Sequence, residues 1–110
     1  MPELKKFDEG KPRVDLIPPA ALVEIGRVFG YGAKKYGAWN HRAGTAYSRY
    51  TAALLRHIYA WQDGEDLDPE SGLHHLAHAA CNLLILLDFI KGGWGIDDRP
   101  PKYTEDTTNG

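Results

Sequence analysis

The stretch Leu76-Ala77-His78-Ala79-Ala80-Cys81-Asn82-Leu83-Leu84-Ile85-Leu86-Leu87-Asp88-Phe89-Ile90 decides the fold. Twelve of these fifteen residues are apolar and they surround the axis at a helical repeat, which is the pattern of a helix buried on most sides. His78, Asn82 and Asp88 interrupt the run, which falls short of the roughly 20 apolar residues that span a bilayer. No other helical stretch in so short a chain can cover every side of it. The pattern therefore predicts a homo-oligomeric helical bundle in which a second subunit supplies the missing neighbours.

Upstream, Asp68-Pro69-Glu70-Ser71 reads as the start of this helix. Asp68 is placed as N-cap, Pro69 at the first helical position and Glu70 against the positive end of the dipole. Downstream, Gly92-Gly93 ends it. A second helix is predicted over Tyr47–Gln62, with Tyr50, Ala53, Leu54, His57 and Trp61 on one face and Arg49 and Arg56 at its edge. A first helix opens at Pro18-Pro19 and runs to about Lys35, with Leu22, Ile25, Gly26, Phe29 and Ala33 as its apolar stripe. Gly26, Gly30 and Gly32 weaken that helix, so another backbone is expected to pack closely on it. Gly37 to Thr45 reads as a loop carrying Trp39, His41 and Arg42. Residues 1–18 read as an extended arm docked through Phe7, Leu16 and Ile17. The fold class is all-α: three main helices in one domain over 1–95, then a mobile tail over 96–110.

Composition narrows the function. The 110 residues are 43% hydrophobic and 25% charged, which fits one globular domain. Thirteen Lys and Arg against fifteen Asp and Glu give a net charge of −2, which argues against a general nucleic-acid binder. One cysteine, Cys81, excludes an internal disulfide framework and reads as small core filler. The start Met1-Pro2-Glu3-Leu4-Lys5-Lys6 has no apolar signal core, so a cytoplasmic protein with no membrane partner is expected.

Chemistry gathers on the third helix. Ser71, His75, His78, Asn82, Leu86 and Phe89 share one face, polar first and then apolar. Burying two imidazoles and an amide costs a few kcal/mol unless each finds a partner, and His57 on the second helix is a candidate partner. The same residues also read as a hydrogen-bonded core cluster or an oligomer-interface network. His75 and His78 suit a transition metal, and Glu65, Asp68 and Glu70 can add oxygen ligands. Lys34, Lys35, Arg49 and Arg56 offer charge for phosphate, although basic residues on helix faces also serve solubility alone. Tyr31, Tyr36, Trp39, Tyr50 and Trp61 are candidate stacking platforms for a base, Trp39 in its loop being the best placed.

Several segments together resemble a known family. They are Phe7-Asp8-Glu9-Gly10-Lys11-Pro12-Arg13-Val14-Asp15-Leu16-Ile17-Pro18-Pro19, Tyr31-Gly32-Ala33-Lys34-Lys35-Tyr36-Gly37 with Trp39-Asn40, and Leu55-Arg56-His57. Gly64-Glu65, Asp68-Pro69-Glu70-Ser71-Gly72 and His75-Leu76-Ala77-His78-Ala79-Ala80-Cys81-Asn82 complete the pattern. It is similar to short phage proteins of the dATP/dGTP diphosphohydrolase N-terminal family, over roughly residues 7–90. The resemblance implies an all-α nucleotide-processing fold related to MazG-like pyrophosphohydrolases, oligomeric bundles that bind nucleoside triphosphates through Mg²⁺. Those enzymes hold the metal with paired acids, E-x-x-E on one helix and E-x-x-D on the next. This chain instead has His75-x-x-His78 followed by Asn82, with Arg56-His57 on the preceding helix, and histidine is a poor ligand for Mg²⁺.

Two functions follow as expectations. The first is a metal-dependent (d)NTP pyrophosphohydrolase that converts a dATP- or dGTP-like substrate to monophosphate and pyrophosphate. Glu65, Asp68 and Glu70 would hold Mg²⁺ or Mn²⁺. His75, His78 and Glu70 would be catalytic, one histidine orienting or deprotonating water. Lys11, Arg13, Lys34, Lys35, Trp39, Asn40, Tyr50, Arg56, His57, Trp61 and Asn82 would bind the nucleotide. The second is a non-catalytic nucleotide-binding sponge with no metal. In the host cytoplasm it would sequester an immune signal, a cyclic nucleotide or an ADP-ribose derivative, in an anti-defence role. A structural helical oligomer without a small ligand is the plain alternative.

Overall fold

A computed structural model describes residues 5–6 and 9–103. Three α-helices carry the fold: α1 (Pro19–Tyr36), α2 (Tyr47–Gln62) and α3 (His75–Gly92). Short 3-10 turns lie at Val14–Leu16 and Asn40–Ala43, and among the described residues only isolated bridges, no strands, are formed. The all-α class is as expected. α1 begins at Pro19, where a missing N–H costs nothing. It ends at Gly37, whose φ of 95° no side-chain-bearing residue adopts easily. α2 has the bounds its periodicity predicts.

α3 packs against α2 and, less extensively, against α1. Its buried stripe is Ala77, Cys81, Ile85 and Phe89, an i, i+4 ladder that meets Val28 of α1. Phe89 is fully buried, with Tyr50 edge-on at 5.3 Å and Tyr47 stacked at 6.3 Å. Of the face expected to carry Ser71, His75, His78, Asn82, Leu86 and Phe89, His75 and Phe89 are buried, while Ala77, Cys81 and Ile85, one residue back from the middle of that line, complete the core. Small Ala77 and Cys81 let the neighbouring helices approach, and the longer Leu86 and polar Asn82 stay half-buried. Burial pushes the Cys81 thiol up to about 11, so it stays protonated, as core filler should.

Three expectations are corrected. α3 does not start at Asp68-Pro69. Residues 66–74 form a loop closed by an antiparallel bridge between Leu67 and His74, and the helix begins at His75 with the His74 ring accepting the Leu76 N–H at 3.0 Å. Asp68 does accept the Ser71 N–H at 2.8 Å, but in a turn that Gly72 leaves at φ 73° rather than in a first helical turn. The glycines of α1 are not closely packed among the described residues: a Cβ at Gly26, Gly30 or Gly32 meets none of them within 4 Å. The arm does not dock through Leu16 and Ile17, which are 68% and 46% exposed. The anchor expected of Phe7 lies outside the described residues.

Beyond α3 the chain turns back. The Tyr47 N–H donates to the Ile96 carbonyl at 2.9 Å, and the Ser48 N–H donates to Asp98 at the same distance, so 94–98 are tied to the start of α2. Gly44 permits this return: a Cβ there would run into the Trp94 carbonyl. The end of the expected tail, 104–110, lies outside the described residues. Among the described residues no helix is long and apolar enough to cross a membrane.

Among the described residues α3 is covered on one side only. Leu83, Leu87 and Ile90, at i, i+4 and i+7, are 58%, 52% and 60% exposed.

Candidate functional site

The loop between α2 and α3 folds back so that its acids reach both helices. The His75 N–H donates to the Asp66 carbonyl and the Asp68 N–H to the Leu73 carbonyl, fixing the loop across the start of α3. His75, 3% exposed, is held from both edges. Its Nε2–H donates to Glu65 Oε1 at 2.6 Å, and its Nδ1 lies 2.8 Å from His57 Nδ1. A carboxylate only accepts, so the Nε2 of His75 carries the hydrogen, its Nδ1 presents a lone pair, and His57 donates.

His78 lies one turn further along α3. Its ring stacks on His57 at 4.5 Å with 8° between planes, and its Nε2 shares a 2.7 Å hydrogen bond with Ser71 Oγ. Asp68 Oδ2 stands 4.0 Å from the same nitrogen. Burial, and then the neighbouring His78 and His75, hold the His57 pKa below that of a free imidazole. Burial likewise lowers His78, against the raising effect of Asp68. Burial works against the charge of Asp68, but the hydrogen bond from the Ser71 amide, then the Ser71 side chain, His78 and His57, keep its carboxyl below the usual value. At neutral pH the centre therefore sets uncharged His57 and His78 beside an ionised Asp68.

Glu70 faces α1 instead, accepting from Lys35 Nζ at 2.7 Å and from Tyr31 OH at 3.1 Å. Those two contacts, Lys35 first, keep it ionised. Tyr31 also meets the His78 ring edge-on at 6.3 Å, so α1, the loop and α3 converge here. The three acids expected to share a metal thus point to different partners. Among the described residues the group whose donor atoms all lie within 4.8 Å of one another is His57, Asp68 and His75.

An open groove of about 640 Å³ runs between α1, the Trp39 loop and α3, and its lining shares no residue with the histidine centre. Trp39, Asn40, Tyr50 and Tyr36 line it, with Gly30 and Gly32 on its wall. Lys35 lies between the two regions, with Nζ on Glu70 and 5.3 Å from the Tyr36 ring. Trp39 takes a left-handed φ of 63°, unusual for a bulky residue and costing about 1–3 kcal/mol. Arg42 lies between the indoles of Trp39 and Trp94, at 4.2 and 4.3 Å, and pairs with Asp88.

The other expected residues fall outside the centre. Asn82 donates to the His78 carbonyl one turn back, Arg56 and Lys34 are exposed, and Trp61 is 41% exposed at the end of α2. Lys11 and Arg13 lie on the exposed arm, where Arg13 pairs with Asp15 at 2.8 Å. Sequence reasoning missed Asp88, which joins His41 at 2.8 Å and Arg42 at 3.1 Å. An acid inside an apolar run needs a cationic or donor partner, and that signal was available.

The fold and site are those of an all-α chain with a histidine–carboxylate centre and an aromatic groove, linked through Lys35. The sequence matches the model of the dATP/dGTP diphosphohydrolase N-terminal family over residues 2–99, and the chain belongs to that family. It is 38% identical over 95 residues to a dATP/dGTP diphosphohydrolase of Salmonella phage PMBT28, an alignment covering 86% of this chain and 30% of that protein. The chain therefore spans about a third of the length of that curated relative. No solved structure matches.

Proposed function

We propose that the chain forms the catalytic part of a nucleotide pyrophosphohydrolase acting on a purine deoxynucleoside triphosphate. The observation that carries this reading is the Glu65–His75–His57 relay with Asp68 and His78 against it, in a chain whose relative is named for dATP and dGTP. The base would lie on Trp39 and Tyr50 in the groove, and the triphosphate would extend past Lys35 toward the histidines.

In the reaction, water bonds to the α-phosphorus as the bond to the bridging oxygen breaks. Monophosphate and pyrophosphate result. His75 has both ring nitrogens engaged and is buried, so it positions. His78 is uncharged at neutral pH and half-buried, and its Nε2 is held by a hydroxyl that can pass a proton, so it is the base. The water proton moves to His78 through Ser71, and the leaving pyrophosphate takes its own proton from solvent. Lys35 carries positive charge to the phosphates. A bound divalent ion, Mg²⁺ or Mn²⁺ with the nucleotide, would neutralise charge on the phosphate oxygens. Glu65 and Glu70, engaged by His75 and by Lys35, do not make an all-oxygen Mg²⁺ cage with Asp68.

The exposed stripe of α3, with Leu55 and Tyr59 of α2 and the open glycine face of α1, supports assembly with further copies of the chain.

The test is to incubate the protein with mixed deoxynucleotides, ribonucleotides, cyclic nucleotides and ADP-ribose, with and without divalent metal. Mass spectrometry then reads both the solution and the heat-released ligand. The proposal expects deoxynucleoside monophosphate and pyrophosphate, lost in His78→Ala. Recovery of one intact nucleotide from the protein would replace it with the sponge reading.

A further inference from the structure

We propose that His57, Asp68 and His75 form a binding site for one borderline transition-metal ion of the zinc or cobalt class, with a further coordination position left open. The donors come from three separate elements, α2, the connecting loop and α3, and their ligand atoms lie within 4.8 Å of one another. Donors in a tetrahedral shell around zinc stand roughly 3.3 Å apart. To admit an ion between the two Nδ1 atoms, at 2.8 Å, His57 moves its hydrogen from Nδ1 to Nε2, the rings separate slightly and Asp68 approaches.

A second feature points the same way. A metal-bound imidazole typically donates its other N–H to a carboxylate, which fixes the tautomer and raises the basicity of the ligating nitrogen. Glu65 does this for His75, at 2.6 Å from Nε2, leaving Nδ1 as a lone pair directed at His57. The donor set of two imidazoles and one carboxylate selects a borderline ion over Mg²⁺, which requires oxygen ligands. Three protein ligands are also the number that leaves a position for water or a phosphate oxygen. His78 is excluded from the set because its Nε2 is held by Ser71.

This inference stands apart from the hydrolase reading, since occupancy is measured without nucleotide. Tag-free protein, stripped with chelator and checked by circular dichroism, is titrated with Co²⁺ alone while the visible d–d absorption is followed. One equivalent should give an intense low-symmetry band, which Zn²⁺ abolishes and excess Mg²⁺ leaves in place. His57→Ala, at a half-buried position, should remain helical and lose the band. Glu65→Gln should weaken Co²⁺ binding about 10- to 100-fold. His74→Asn, which keeps a capping side chain, should bind as the unaltered protein does. Absence of the band in folded stripped protein, or an unchanged titration in His57→Ala, would overturn the site. Uptake without nucleotide turnover would leave the site standing and remove only the hydrolase reading. Full turnover with Mg²⁺ in protein that takes up no Co²⁺ would do the reverse.

Discussion

Glu65 holds His75 by its outer ring nitrogen at 2.6 Å, and so decides which nitrogen of a buried imidazole faces His57. Glu65 is half exposed while His75 is almost wholly enclosed. Removing the carboxylate lets water take the freed N–H, so Glu65→Ala should cost only about 1 kcal/mol of stability. The predicted damage is functional: kcat should fall with KM little changed, because His75 positions the centre. Equal loss of stability and activity, read by urea melts beside steady-state rates, would point to a purely structural pair.

The histidines also set a pH dependence. His57 and His78 have pKa values lowered in the folded chain, by burial first, so between the folded values and the unfolded value near 6.5 the unfolded chain binds more protons. Stability present above that value is lost as pH falls below about 6.5. Thermal melts from pH 7.5 to 5.5 in chelator should show a falling midpoint, and the His57→Gln, His78→Gln double variant should flatten the slope.

Two glycines should respond in opposite ways. Gly44 combines a φ of 86° with the Trp94 carbonyl in the space a Cβ would take, so Gly44→Ala should destabilise by about 2 kcal/mol or more in a urea melt. Gly30 lies mid-helix, and a Cβ there meets none of the described residues beyond its own helix within 4 Å, so Gly30→Ala should stabilise the chain by up to about 1 kcal/mol. If the glycine face of α1 seats a second copy, the same variant should instead lower the oligomer mass in light scattering.

Trp39 is the groove residue whose backbone is held against its preference, which suits a platform kept in place for a ligand. Trp39→Ala should weaken nucleotide binding by about 1–3 kcal/mol, seen as a raised KM with kcat retained. An unaltered KM would remove the base from this groove.

How much of this was legible in the sequence follows from how local each signal is. α1 and α2 are written in proline, glycine and apolar spacing, all short-range, and their bounds were read to within a residue. The start of α3 was misread because Asp68 accepting the Ser71 N–H is the same bond in a turn as in a first helical turn. Only the pairing of Leu67 with His74 separates the two cases. The polar cluster expected from the sequence is His57, His75, His78 and Asn82; the three histidines meet, and Asn82 turns back to the His78 carbonyl. Its wiring is not legible there, because Glu65–His75 and Lys35–Glu70 depend on how the loop folds back, and helical periodicity says nothing about that.

The most direct measurement of the central claim is a ³¹P NMR time course of dGTP with the protein and a divalent metal, beside His78→Ala. Resonances of dGMP and pyrophosphate should grow together at equal rates with the unaltered protein, and none should appear with the variant. A dGTP spectrum that stays unchanged with the unaltered protein, or products that form as fast in His78→Ala, would contradict that claim.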